Sequence, residues 1–247
     1  MAARPSHRQR AADEQGVALI IALLAVALLM ALGLALVLTT MTETRIASTY
    51  RDGAETLHAA DAAVERVMVD MLHVTDWNGI LNGSVRSAFV DGAPGGIRRL
   101  PDGRALDLTG ATNMVRCGQL SSCSDADLDA ISEHRPWGRN NPRWQLYAHG
   151  PLSALLPAAS IDAPAYVVVW IADDPSESDD DPFADGLDTV GCFPGSAACV
   201  NHGQGLVTLL AHAYGPGGTV RAVEVTLALN DAGPPGGARM LTWRELR

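Results

Sequence analysis

The chain has 247 residues, of which 47% are hydrophobic and 19% charged, with a formal net charge of −10. An acidic balance and a pI near 5.0 argue against nucleic-acid binding, which needs a clustered basic surface. Every one of the 18 Lys/Arg positions is arginine, so Schiff-base lysine chemistry is excluded. A mean hydropathy of +0.08 fits a soluble protein with one apolar segment added, and the length holds one large domain or two small ones.

That apolar segment comes first. Residues 17–38 carry no charge and are nearly all Ala, Leu, Val and Ile. At 1.5 Å per residue they form a helix about 33 Å long, enough to cross a bilayer core. Arg4, Arg8 and Arg10 precede it, so residues 1–16 are expected in the cytoplasm and the bulk of the chain outside. Asp13 and Glu14 dilute that charge but weigh little in the rule. A cleavable secretory signal has an apolar region of roughly 7–15 residues closed by a small-residue cleavage site. Here the run is longer, and Ala25-Val26-Ala27 lies inside it. The spacing predicts a retained or differently processed segment.

Helix-forming residues continue beyond the apolar run, with no proline between Pro5 and Pro94. Ile46, Tyr50, Leu57, Val64, Val67, Met68 and Met71 recur at helical spacing, and Tyr50, Leu57, Val64 and Met71 keep a seven-residue interval. The pattern predicts one helix over 17–73, about 85 Å long. Half of it is membrane-spanning, and half carries an apolar stripe for a domain. Gly53 is the expected bend, since glycine costs about 1 kcal/mol against alanine inside a helix.

Residues 74–247 read as an extracytoplasmic head. Residues 74–110 are rich in Gly, Asn, Asp and Pro and read as loops with one or two short strands. Ser124 and Asp127 cap a short helix over 125–134, ended by Pro136. Residues 144–148 alternate as a strand, and the apolar run 165–172 suits a strand buried on both faces. Residues 205–214 and 219–229 form a hairpin around the turn 215–218. The breaker at 231–237 leaves the last ten residues as either an extension or a late edge strand. The predicted class is α+β: three to five antiparallel strands packed on the helix stripe.

Cys117/Cys123 and Cys192/Cys199 form two close pairs, read as local disulfides in an exported protein, with free thiols or zinc as rivals. Four cysteines allow three pairings, and the sequence does not choose among them. The acidic run beginning at Asp173 reads as a solvated loop. If it cages calcium, which takes six to eight oxygen ligands, Asp173, Asp179, Asp181 and Asp185 are the candidates. It lacks the spacing of an EF-hand loop. The seven histidines form no metal-ligand pair, and neither a G-x-S-x-G elbow nor a phosphate-binding glycine loop occurs. No catalytic residue and no resident cofactor are expected.

The stretch Glu14-Gln15-Gly16-Val17-Ala18-Leu19-Ile20-Ile21-Ala22-Leu23-Leu24 resembles the N-terminal segment of PilX-type pilus assembly proteins. The similarity continues through Thr42-Glu43-Thr44-Arg45-Ile46-Ala47 and Ala59-Ala60-Asp61-Ala62-Ala63-Val64-Glu65. The resemblance implies a pilin-like fold and a prepilin, cut by a prepilin peptidase between Gly16 and Val17 and methylated. It also implies an inner-membrane location, then a place in a pilus or at the cell surface. Implied partners are other pilins, the peptidase, the assembly machinery and, before assembly, the bilayer.

Major pilins of the kind place glutamate fifth after the cut; here Ile21 stands there. An unpaired ammonium in lipid is costly, so the departure points to a minor, tip or priming subunit. Ala22, Ala25, Ala27 and Gly33 are the small residues expected to admit neighbouring helices closely. A tip pseudopilin of type II secretion, a signal-anchored binding protein and an anchored hydrolase are the rival readings.

Overall fold

The computed structural model describes residues 7–74, 77–130, 143–155, 164–175, 181–185, 205–229 and 237–246, with side chains from residue 16 onward. The chain divides into two compact units, Met1–Arg51 and Asp52–Arg247. Helix α1 (His7–Met71) supplies the first unit's structure and the opening element of the second.

In the second unit the order continues with α2 (Asn78–Leu81), β1 (Ile97–Arg99), β2 (Ala105–Asp107), α3 (Leu108–Cys117) and α4 (Asp125–Ala130). Five strands follow: β3 (Gln145–Pro151), β4 (Tyr166–Asp173), β5 (Leu206–Tyr214), β6 (Val220–Leu229) and β7 (Ala238–Leu246). They form one antiparallel sheet in sequence order, while β1 and β2 make a separate two-stranded sheet. This is the α+β layout that the patterning predicts and the pilin-like arrangement that the resemblance implies.

The core is split by the sheet. On one face, Ala59, Ala60, Ala63, Val64, Val67 and Met71 of α1 pack against Val167, Val169, Ile171, Leu209, Val223, Val225 and Leu227. Small alanines let the helix lie close to the sheet, and the valines fill the pleat between them. On the other face, Leu100, Leu106 and Leu108 cover Tyr166, Val168, Trp170 and Leu210. Strand β4 is therefore buried along its whole length, which is why its sequence is apolar without alternation.

The β5–β6 hairpin has the expected register, with Tyr214 opposite Val220. The turn uses Gly217 and Gly218 at φ 63° and 86°, values that favour glycine. Of the two expectations for the C-terminus, the edge strand is the one found: β7 pairs with β6 from Ala222/Leu246 to Leu229/Ala238.

Four expectations need correction. Helix α1 passes through Gly53 without a break. A Cβ there would lie 2.9 Å from Arg221 Nη2, so the glycine leaves room for a neighbouring side chain rather than bending the helix. The apolar stripe is buried only in the second unit: Met71 is 0% exposed, but Tyr50 is 80% and Ile46 64% exposed. Both belong to the first unit, where among the described residues α1 has no second element to cover a stripe.

Residues 74–110 hold α2 and the start of α3 as well as two strands, because Asp107 caps α3 by accepting from Thr109 N at 3.1 Å. Strand β3 runs beyond residue 148 to Pro151, since its buried His149 and Gly150 continue the pairing with β4. The expected helix over 125–134 is described as far as Ala130, with Ser124 and Asp127 capping reciprocally; its remaining residues lie outside the described ones.

Candidate functional site

Among the described residues, the apolar part of α1 is a long, exposed apolar surface. Within it an 18-residue window has a mean hydropathy of 3.0 and is 0% buried. Its residues are exposed on all sides, from Val17 at 57% to Leu38 at 56%. So large an apolar surface does not persist in water at roughly 25 cal/mol per Å2. Lipid or other apolar helices must cover it.

Gly16 and Val17, the expected processing pair, are exposed on this helix rather than at its end. Ala22, Ala25, Ala27 and Gly33 are exposed as well, and nothing lies within 4 Å of a Cβ built on Gly16 or Gly33. Ile21 is 61% exposed.

Where the apolar run ends, a series of threonines takes over, a feature that sequence reading missed. The hydroxyls of Thr39, Thr40, Thr42 and Thr44 donate to Ala35 O, Leu36 O, Leu38 O and Thr40 O at 2.8–3.0 Å. Each hydroxyl is satisfied within the helix, so this stretch presents no unpaired donor to a medium without water. The run of threonines was the available signal.

Cys117 and Cys123 are joined as a disulfide with Cα atoms 5.9 Å apart. It closes the loop after α3, whose last turn is capped by Gly118 at φ 72°. Cys192 and Cys199 lie outside the described residues.

Of the candidate calcium ligands, Asp179 also lies outside them. Asp173 is fully buried at the end of β4 and accepts from Asp174 N at 2.9 Å. Asp181 accepts from Phe183 N at 3.1 Å, and Asp185 from Gly205 N at 2.7 Å. These carboxylates accept from backbone amides; the Asp173 and Asp181 bonds are local, and the Asp185 bond joins its loop to the residue before β5. Among the described residues, no group of three His, Cys, Asp or Glu is placed to hold a metal.

Two histidines, the half-buried His212 and the buried His149, sit on the sheet face opposite α1. His212 stacks edge-on against Trp170, ring centroids 5.0 Å apart, and burial lowers its pKa to about 4. The Trp170 indole N–H donates to Thr112 Oγ1 at 3.1 Å, fastening α3 to the sheet.

His149, on β3, belongs to a polar cluster. Its Nδ1 lies 3.3 Å from Tyr166 Oη, and the Tyr166 hydroxyl donates to Asp91 Oδ2 at 3.2 Å. Arg98 Nε donates to the Asp91 carbonyl at 2.8 Å. Burial and the nearby Arg98 lower the His149 pKa, while burial and Asp91 raise that of Tyr166. Asp91, His149 and Tyr166 come from three separate segments, and no local motif announces their meeting.

Residues 87–91 run along the outer edge of β3. Ser87 N donates to Tyr147 O at 3.2 Å, His149 N to Phe89 O at 3.1 Å, and Asp91 N to His149 O at 2.8 Å. Ser87 Oγ also donates to Asp70 on α1, whose carboxylate pairs with Arg66. The edge of β3 is thus covered, as sheet edges in natural proteins commonly are.

Compared with known proteins, residues 15–65 match the family model described as PilX N-terminal. No curated protein and no solved structure matches the chain.

Proposed function

We propose that this chain is a minor pilin that takes part in assembling or priming a type IV pilus, or in adhesion at its tip or surface. The observation that carries the reading is the overlap of residues 15–65, the family-matched segment, with the exposed apolar helix. That segment anchors the protein in the inner membrane with its head exported. Prepilin peptidase then cuts after Gly16, and Val17 becomes the new N-terminus.

The freed helix enters a bundle of like helices. Lipid tails are as apolar as leucine, so close packing rather than hydrophobicity drives the association. Ala22, Ala25, Ala27 and Gly33 permit that approach. Ile21 supplies no carboxylate for a neighbour's terminal ammonium, and desolvating that charge is costly. A position where few such contacts form, at a tip or in a priming complex, suits this chain better than a shaft. The role is structural, and the head supplies contact surface rather than catalysis.

Mass spectrometry of the membrane-extracted protein tests the reading. The expected mature form begins at Val17, and Gly16→Val leaves the uncut form. Unchanged cleavage in that variant, or a mature protein that keeps Met1, rejects it. Loss of piliation on deletion separates a pilus from a type II secretion role, in which enzyme export would fail instead.

A further inference from the structure

Between residues 86–94 and β3 lies a cavity of about 70 Å3, several times the roughly 10–15 Å3 that one water needs. Arg86 lines its exposed rim, His149 its buried floor, and Val90, Pro94, Leu146 and Tyr147 its walls. His149 is only 2% exposed. The Tyr166 hydroxyl spends its one proton on Asp91, so toward His149 it can only accept. That arrangement favours the tautomer with the proton on Nδ1. Nε2 is then the ring nitrogen left for a ligand.

We propose that this cavity binds a carboxylate group, held by the Arg86 guanidinium at the rim and by a protonated His149 Nε2 at the floor. Three features select the ligand. The charged groups facing His149 are Arg86, Arg98 and Asp91, whose sum is one positive charge and calls for a single negative one. Val90, Pro94 and Leu146 give the walls an apolar part that accepts a short hydrocarbon stem. Asp91 is already engaged with Tyr166 and Arg98, which leaves Arg86 as the cation at the rim.

The empty site keeps His149 neutral, because burial and Arg98 disfavour a second charge there. A bound carboxylate reverses that balance and draws a proton onto Nε2, so binding takes up a proton. Affinity therefore rises as pH falls. The ligand is either a small free acid or the C-terminus of a polypeptide; both present the same group. The site lies wholly within the second unit and does not depend on the pilin reading.

The test uses the full chain in detergent with labelled histidine, its His149 signal assigned with His149→Gln. Sodium acetate is titrated against equal sodium chloride, and acetyl-trialanine against its C-terminal amide. The expected result is a His149 pKa about one unit higher at saturation, equivalent to tenfold tighter binding to the protonated form. Arg86→Gln, at an exposed position, should weaken binding about tenfold or more with the fold intact. Tighter binding of the peptide acid than of acetate identifies a polypeptide terminus; equal or weaker binding identifies a small acid. A His149 signal that ignores both ligands, or responds equally to the amide or in Arg86→Gln, overturns the proposal.

Discussion

The indole N–H of Trp243 on β7 donates to the Asp61 carboxylate of α1 across 2.8 Å, joining residues 182 apart in sequence. Strand β7 is the sheet's edge and pairs along one side only, with β6. This bond adds a second attachment, to the helix on which the sheet folds. Trp243→Phe keeps most of the apolar contact and removes the donor. It should lower head stability by about 1 kcal/mol, the usual worth of a partly exposed hydrogen bond to a charged group. Urea unfolding of Trp243→Phe, Asp61→Asn and the double variant should give a coupling energy of that order. Additive effects would mean the bond contributes nothing.

Two glycines, Gly53 within α1 and Gly215 beside it, should respond in opposite ways to alanine. A Cβ on Gly215 would fall 2.0 Å from Thr56 Oγ1, a buried hydroxyl already donating to Asp52 O at 2.6 Å. The backbone there, φ −95°, suits any residue, so the obstacle is steric alone. Gly215→Ala should cost about 2 kcal/mol or more, partly restored by Thr56→Ala. At Gly53 the neighbour is the end of the flexible Arg221 side chain, 2.9 Å away. Gly53→Ala should be neutral or stabilising by up to about 1 kcal/mol, since alanine is the better helix former. Thermal midpoints of the three variants measure both.

Trp170 is 0% exposed, spans the contact between β4 and α3, and stacks with His212. Trp170→Ala should cost about 3–5 kcal/mol through lost burial and an unfilled cavity. Thr112→Val, which removes the indole's acceptor together with the hydroxyl's own bond to Leu108 O, should cost about 1–2 kcal/mol. A Trp170→Ala loss no larger than that of Thr112→Val would show that the site collapses freely.

The elements read correctly from sequence are those whose signal is local. The β5–β6 hairpin announces itself through Gly215-Pro216-Gly217-Gly218 between two apolar-rich runs, and β4 through its unbroken apolar stretch. Helix α3 was hidden because Leu108-Thr109-Gly110-Ala111-Thr112-Asn113 is poor in helix formers. What makes it a helix is the Asp107 cap, the Gly118 stop and the burial of Leu108, two of them short-range signals that could have been read. The exposure of Tyr50 was not legible, because a seven-residue interval says that a stripe exists without saying where its cover ends. The Asp91–Tyr166–His149 cluster was out of reach entirely. It depends on residues 87–91 pairing with an edge strand more than fifty positions away, and no spacing encodes that.

The disulfide gives a chemical prediction. Cys117 and Cys123 are six residues apart, so their loop is short and its closure entropy modest, worth about 2 kcal/mol. Non-reducing peptide mapping should recover 117–123 as a cross-link, leaving Cys192 and Cys199 as each other's partner. Reduction should lower the thermal midpoint of the head by several degrees without unfolding it. A cross-link between the two pairs would contradict this connectivity.

The half-buried His212 and the buried His149 set the direction of the head's acid sensitivity. In the unfolded chain His212 titrates near the ordinary imidazole value of about 6.5; in the fold, burial lowers it to about 4. Below the unfolded value the open chain binds a proton that the folded chain refuses, so each step down in pH favours unfolding. The contribution is fully present above about pH 6.5 and is lost as pH falls toward about 4. The loss is on the order of 2–3 kcal/mol. His149, lowered by burial and by Arg98, acts in the same direction. Phenylalanine at position 212 keeps a ring against Trp170 but binds no proton. The fall in thermal midpoint between pH 7 and pH 4.5 should therefore be smaller in His212→Phe than in the parent. Exposed carboxylates are common to both proteins, so the difference isolates the imidazole. Parallel curves would mean that His212 is solvated before the head unfolds, and that its burial is not what limits acid stability.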